Sequence, residues 1–252
     1  MHRHRNTRKA LIFTVLFAIF SLPPSAYGAG GTVTLHLEND VFYDTDRGYT
    51  QGLKLSWASP DLAEYRDHPL IPDWSASLIE RLPLVNQPGY RHCISLAFGQ
   101  NLYTPNDTDR SDLIKDDRPY AGLLYLAIGF HGRDNQQMDT LEFDVGIVGP
   151  HSFAEDCQKA YHKWIDVGEP KGWEHQLHDE PILNVFLERK WRLWRTEHQQ
   201  WGYDCIPYIG GGVGNAFIGA NIGGELRFGW HLPDDFGTFL ITGRSGSNVP
   251  FE

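Results

Sequence analysis

Cysteine, basic charge and long apolar runs are all scarce in this 252-residue sequence. The three cysteines, Cys93, Cys157 and Cys205, show no C-x-x-C spacing, which excludes the usual metal–thiolate sites and allows one disulfide beside a free thiol at most. Acidic residues outnumber lysine and arginine by 32 to 22, and this balance argues against non-specific binding of nucleic acid. An acidic chain instead suits carboxylate sites for a hard cation.

The N-terminus predicts export from the cytoplasm. Four basic residues between positions 3 and 9 precede an uncharged apolar run over residues 10–22, and Ala26-Tyr27-Gly28 places small residues before a cleavage site. These are the parts of a secretory signal peptide, and an apolar run of about 13 residues is too short to span a bilayer. We therefore predict a signal peptide over residues 1–28 and a mature chain with 18 basic and 32 acidic residues, a net charge of −14.

No apolar run of helix length follows the signal peptide, which leaves a soluble β-sandwich and a transmembrane β-barrel as the main fold classes. Polar residues at alternate positions, such as Glu142, Asp144, Glu225 and Arg227, favour an antiparallel outer-membrane barrel with a polar lumen. Without repeats or a linker, we expect a single β-barrel domain over residues 29–252. About eight strands are predicted, over residues 32–37, 52–57, 92–98, 122–130, 141–147, 182–194, 203–213 and 217–230.

Two segments break the strand pattern. Residues 59–90 form a proline-punctuated insertion with a helical piece over residues 74–82. Residues 153–167 show apolar residues at helical spacing; Ser152 and Glu155 predict a capping box, and Gly168 predicts the helix end. A lone helix inserted between barrel strands is expected to lie against the lumen or the rim.

The second helix carries the strongest candidate for catalysis. Gln158 and His162 stand four residues apart, so their side chains point the same way from the helix. Histidine can act as a general base near neutral pH, with the glutamine orienting it or a substrate oxygen. The alternative is an ordinary surface histidine, since the chain has 12 histidines.

Three motifs together resemble the outer-membrane lipid A 3′-O-deacylases. They are Asn39-Asp40 after an alternating strand, 46–50 (Asp-Arg-Gly-Tyr-Thr) opening the next strand, and Gly149-Pro150 leading to Gln158 and His162. The resemblance covers most of residues 31–230. It implies a twelve-stranded barrel in the bacterial outer membrane that removes the 3′-linked acyloxyacyl chain of lipid A with the help of Ca²⁺. Its partners would be lipid A, or lipopolysaccharide, and outer-membrane lipid, and we expect a monomer that does not bind nucleic acid.

The resemblance also implies roles for individual residues. His162 would be the general base that activates water, with Gln158, Asn39 and Thr50 beside it in the catalytic site. Asp40 would be a ligand of calcium, a cation that prefers oxygen donors. Two further residues are expected to contact the substrate: Arg110, in the loop after Tyr103, would pair with a lipid A phosphate, and Glu169 lies one residue beyond the position of a family glutamate.

The chain departs from the family pattern in strand number. With eight or nine strands instead of twelve, we expect a barrel that is incomplete at the C-terminus. An unpaired strand edge is unfavourable in lipid, so either the sequence is a fragment or the open edge pairs with something else. Other functions also remain open. One is a phospholipase-like esterase with Ser152 as nucleophile, although the adjacent His151 points away from the serine. The others are a non-catalytic porin-like barrel and a calcium-stabilised turn over residues 40–47.

Overall fold

The computed structural model of the protein describes residues 31–39, 48–198 and 200–237, without the side chains of residues 38, 39 and 48–51. The predicted signal peptide and Asp40 lie outside the described residues. The strands are β1 (Thr32–Asn39), β2 (Gly48–Ala58), β3 (Arg91–Thr104), β4 (Ala121–Arg133), β5 (Gln137–Val148), β6 (Glu180–Trp191), β7 (Trp194–His198), β8 (Trp201–Gly214) and β9 (Gly219–Trp230). The helices are α1 (Asp73–Ile79) and α2 (Ala154–Ile165), with 3-10 turns at Tyr65–Asp67, Pro150–Ser152 and Trp173–His175.

All nine strands belong to one antiparallel sheet. Strands β1 to β6 pair in chain order; β8 then pairs with β6 and β7 along one edge and with β9 along the other. The single strand predicted over residues 182–194 is wrong in its extent, because the chain breaks at Arg192 and Leu193. Strand β6 loses its β5 partner after the Trp191–Gln137 pair, and the chain resumes pairing, with β8 alone, at Trp194.

The polarity of the two faces of the sheet is the reverse of that in a soluble protein, with polar side chains buried and apolar side chains exposed. On one side, Ser95, His131 and Asp144 are completely buried. On the other, apolar side chains are exposed: Leu126 by 51% and Ile222 by 83%. We call these the inner face and the outer face. Such an arrangement suits a sheet whose outer face meets lipid, and it confirms the prediction of a barrel-type antiparallel sheet over a β-sandwich.

The inner face is concave. Ala58 on β2, Cys93 on β3, Met138 on β5 and Ile206 on β8 form one buried cluster with Phe236. Strands β2 and β8 are separated by four strands in the sheet, so their side chains meet only if the sheet curls around its polar side. The segment after β9 fills this end of the concavity, where the Lys190 ammonium donates to the Phe236 carbonyl over 3.2 Å.

The two ends of the strands carry different connections. The loop rim carries the loops 105–120 and 149–179 and the short connection 215–218, beside the end of β1 and the start of β2. The turn rim carries the short connection 134–136, the long insertion 59–90 and the break at 192–193, beyond which β7 continues in the direction of β6. Within the described part of the chain, no helix is both long enough and apolar enough to cross a membrane.

The insertion 59–90 covers the outer face beside the turn rim. It contains the helix that the sequence predicted over residues 74–82, now seen as α1 over Asp73–Ile79. Tyr65, Ile79 and Val85 from the insertion form a buried cluster with Phe130 and Leu141 of the sheet. A second region of the outer face is covered at the loop rim, where α2 lies.

Candidate active site

Helix α2 is held on the outer face at the loop rim. Gly122 lies on the same face of β4 as Leu126, and a Cβ at Gly122 would stand only 2.1 Å from Ser152 Oγ and 2.2 Å from Ala154 Cβ. The Gln100 amide of β3 donates to the Ser152 carbonyl over 2.6 Å. The start of α2 therefore rests directly on the backbones of β3 and β4, where glycine allows the close approach.

Both predicted ends of α2 differ from those in the structure. Ser152 is not the N-cap: its hydroxyl donates to the Gly149 carbonyl over 2.6 Å, and Phe153, with φ of 59°, takes the N-cap position. At the other end the helix ends before Gly168, because Asp166 adopts the left-handed conformation with φ of 58°. Residues in this region commonly end helices.

The face of α2 that packs on the sheet carries polar side chains. Ala154, Gln158 and His162 are its buried residues, whereas Trp164, in the apolar stripe that the sequence predicted, is 79% exposed. An apolar residue pointing away from the sheet is consistent with lipid around the outer face. Gln158 and His162 are thereby enclosed between the helix and the barrel wall.

The ring of His162 has a defined hydrogen-bonding orientation. It is 6% exposed, and its Nδ1 lies 2.6 Å from the Gly168 carbonyl oxygen. Since a carbonyl can only accept, Nδ1 carries the hydrogen. In the neutral ring Nε2 is then the nitrogen with a lone pair, which is what a general base requires.

The amide of Gln158 is oriented by a tryptophan. The Trp173 indole donates from Nε1 to Gln158 Oε1 over 2.8 Å, and both side chains are 1% exposed. Because an indole can only donate, this bond assigns the amide oxygen to Trp173 and leaves Nε2 on the other side. Nε2 has no hydrogen-bond partner among the described residues. A buried amide donor without a partner is costly, so this group is well placed to bind a substrate oxygen.

Trp173 is itself fixed by packing and by backbone conformation. Its ring lies 4.7 Å from that of Tyr120, and both belong to a buried cluster with Leu102 and Ala154. The preceding Gly172 has φ of 89°, and a Cβ there would lie 2.9 Å from the Arg110 carbonyl oxygen. The loops 105–120 and 149–179 thus pack together above α2.

Asn39 and Thr50 occupy backbone positions at the same rim. Asn39 ends β1 and pairs with Gln51, which pairs with Leu102, which in turn pairs with Gly122 under α2. Thr50 is the extra residue of a β-bulge, because Tyr49 and Gln51 pair with consecutive residues of β3. Bulges re-aim side chains and are frequent beside active sites. The side chains of Asn39 and Thr50, like Asp40, lie outside the description.

Comparison with known proteins identifies the family. The sequence model of the family described as outer membrane protein LpxR matches residues 11–250. The chain belongs to this family. The solved structure of LpxR from Salmonella typhimurium has a TM-score of 0.56 and 16% sequence identity, over 75% of this chain and 57% of that one. At this identity the similarity shows the fold alone, and the chain spans little more than half the length of that LpxR. A comparison of this chain with curated protein sequences found no match.

In this LpxR-family chain, the two residues expected to contact the substrate lie on exposed loops and have acidic or basic partners of their own. The Arg110 guanidinium is paired with Asp112, a contact that raises the pKa of the arginine. The Glu169 carboxylate is 3.7 Å from the Lys159 ammonium, which also binds Glu155 at 2.9 Å. The structure thus buries Gln158 and His162 on one face of α2, whereas the side chains of Arg110 and Glu169 are exposed and paired with other loop or helix residues.

The serine-esterase alternative has little geometric support. Ser152 is completely buried and donates its hydroxyl to a backbone carbonyl, whereas the exposed His151 pairs with Asp179. This pairing lowers the pKa of Asp179, chiefly through a hydrogen bond from the His151 backbone amide. Cys93, Cys157 and Cys205 are all free thiols. Burial raises the pKa of the Cys157 thiol, so it is a poor nucleophile at neutral pH.

Sequence reasoning missed three groups, two that orient Gln158 and His162 and one that holds the start of α2. They are the Trp173 indole, the Gly168 carbonyl and the Gln100 amide. Only Gly172, before Trp173, offered a signal, since glycine marks turns and positions of positive φ. The other two act through contacts that no sequence spacing predicts.

Proposed function

We propose that this chain is a lipid A 3′-O-deacylase that works in the outer membrane through His162. Membership of the LpxR family and the barrel-type sheet support the substrate class and the location. The observation that carries the proposal is the hydrogen bond from His162 Nδ1 to the Gly168 carbonyl, because it makes Nε2 the proton-accepting nitrogen of a buried histidine.

The position of α2 supports access from lipid. Acyl chains of a lipid lie along the outer face, and the enclosed polar pair lies between that face and the helix. An ester near the headgroup end of the acyl chains can therefore reach Gln158 and His162 without leaving the membrane. Such a location suits an enzyme whose substrate is itself a membrane lipid.

The reaction is a hydrolysis without a covalent intermediate. His162 Nε2 takes a proton from water while the water oxygen attacks the ester carbonyl carbon. The tetrahedral intermediate then collapses, the sugar oxygen leaves with the proton from the imidazolium, and the acyloxyacyl chain departs as a carboxylic acid. The Nε2 hydrogens of Gln158, which have no partner among the described residues, donate to a substrate oxygen and hold the ester in place.

Calcium is proposed as the cofactor at the loop rim. The described residues contain no group of three or more His, Cys, Asp and Glu side chains that could hold a metal ion. The donors would be the Asp40 carboxylate and oxygens at Asn39 and Thr50, and an all-oxygen set of this kind fits calcium. Thr50 is the residue at the bulge in β2. When bound, the ion would polarise the ester carbonyl.

Mass spectrometry of lipid A tests this function. Cells expressing the wild-type chain should lose the mass of the 3′ acyloxyacyl group, and chelation of calcium should prevent the loss. His162→Ala should lower the rate about 10²–10⁴-fold, the usual contribution of a general base.

His151→Ala is the matched control, since this exposed histidine lies in the turn before α2 and pairs with Asp179. It should leave the rate unchanged. Unaltered lipid A in cells that express folded wild-type protein would contradict the proposed function, and equal loss in the two histidine variants would contradict the role of His162.

A further inference from the structure

Helix α1 of the insertion has two different faces. Ala76 and Ile79 are buried against the sheet, whereas Trp74 is 79% exposed and Leu78 is 64% exposed. Trp74 and Leu78 are four residues apart, so they form one apolar surface on the side away from the sheet. An exposed apolar surface that continues into a larger apolar patch marks an interaction site with protein or membrane.

This apolar surface is continuous with the membrane-facing part of the sheet. The insertion packs on Ile94, Phe130 and Leu141, which are register partners on the outer face. Further along β4 on the same face, Leu126 is 51% exposed. Trp74 and Leu78 therefore extend an outer face that, in an outer membrane protein, already contacts lipid.

The spacing along β4 is close to the height of the apolar band of an outer-membrane barrel. The insertion covers Phe130 and α2 covers Gly122, eight residues earlier on the same strand. Eight residues extend about 26 Å along a strand, or about 20 Å across a bilayer for a strand tilted by about 40°, close to the apolar band of such barrels, about 25 Å. Helices α1 and α2 thus lie at opposite edges of this band.

The charged residues of the insertion indicate its depth. Arg66 pairs with Glu64 and Glu80, and Asp61 pairs with Arg133 and Arg91 at the end of the sheet. Charged pairs of this kind suit the headgroup region and not the hydrocarbon core, where they would lose hydration. Tryptophan likewise favours the membrane interface because its ring is apolar and its N–H is polar.

We propose that the insertion 59–90 binds the membrane interface, with α1 lying in the headgroup region of the periplasmic leaflet and Trp74 and Leu78 inserted among phospholipids. The leaflet follows from the turn rim, because the three-residue connection 134–136 is of the short kind that faces the periplasm in outer-membrane barrels. The proposal does not depend on deacylase activity.

Tryptophan fluorescence in phospholipid vesicles tests the proposal. Subtracting the emission of Trp74→Phe from that of the wild type isolates the signal of one of eight tryptophans. This difference signal should be quenched by phospholipids brominated on their acyl chains, more by bromines near the headgroup end than by bromines near the chain end. It should resist acrylamide, a quencher dissolved in water.

Trp173→Phe is the matched control, because Trp173 is 1% exposed and its difference signal should resist acrylamide through burial in protein alone. Quenching of the Trp74 signal by acrylamide would overturn the proposal by placing this residue in water. Resistance to both quenchers would place it against protein, and stronger quenching from the chain end would place it in the hydrocarbon core.

Discussion

At the scale of single residues, the candidate active site depends on two oriented side chains and on the groups that orient them. The Gly168 carbonyl sets the tautomer of His162, and the Trp173 indole sets the direction of the Gln158 amide. Neither partner would touch the substrate in the reaction proposed above. Both are therefore positioning groups, and only the tryptophan can be altered by substitution of a side chain.

Trp173→Phe should lower kcat without much change in KM or in thermal stability. Phenylalanine preserves most of the packing against Tyr120 and removes only the hydrogen bond to Gln158. A hydrogen bond of this type is worth about 0.5–1.5 kcal/mol, which corresponds to a loss of up to about tenfold in kcat. Steady-state kinetics on lipid A in mixed micelles would measure it.

Trp164→Phe is the control, because Trp164 is exposed on the opposite side of α2. In combination with Gln158→Ala, Trp173→Phe should have no additional effect, since the group that it orients is gone. Independent, additive effects of the two substitutions would show that Trp173 does not act through Gln158.

At the scale of elements, the packing of α2 on the sheet depends on the absence of a side chain at position 122. Gly122→Val should displace the start of the helix, because even a Cβ would collide with Ser152 and Ala154. We expect a loss of about 1–3 kcal/mol in the free energy of unfolding, the usual effect of overpacking, and strongly reduced activity. Limited proteolysis would detect early cleavage in residues 149–179 while the sheet stays resistant.

Gly224→Val provides the comparison for this substitution. A Cβ at Gly224 would meet its nearest neighbour, Pro207 Cα, at 3.4 Å, an ordinary contact. This variant should retain the wild-type cleavage pattern. Equal protease sensitivity of the two valine variants would mean that Gly122 has no special role in seating α2.

The elements that the sequence predicted correctly are those set by local spacing. Alternation located the strands and helical spacing located α2, and with it the shared face of Gln158 and His162. The break at Arg192 depends on where β5 ends. The left-handed conformation of Phe153 depends on how the start of α2 packs on Gly122. Contacts distant in sequence decide both features, as they do the bond between Trp173 and Gln158.

At the scale of the whole molecule, the sheet exposes apolar side chains on its outer face and buries polar ones inside. A lysine in the middle of this face should therefore be costly in a membrane. Leu126→Lys, between the two covered regions of β4, should lower the free energy of unfolding by about 2–4 kcal/mol. Chemical denaturation of the protein in phospholipid vesicles would measure the loss.

Leu193→Lys is the matched control, because Leu193 is 64% exposed but lies at the break between β6 and β7, level with the 134–136 connection at the turn rim. Near the membrane interface the same substitution costs about 0–1 kcal/mol. A soluble protein would tolerate both lysines equally well. Equal costs would thus argue against lipid around the middle of the outer face.

The hydrogen bond between His162 and Gly168 has a consequence for sequence variation in this segment. Its acceptor belongs to the main chain, and a Cβ at Gly168 would meet nothing within 4 Å. Many different amino acids can therefore occupy position 168 while the imidazole keeps its tautomer. The tautomer of His162 is thus set by the conformation of the backbone after α2. The amino acid at position 168 can vary without changing it.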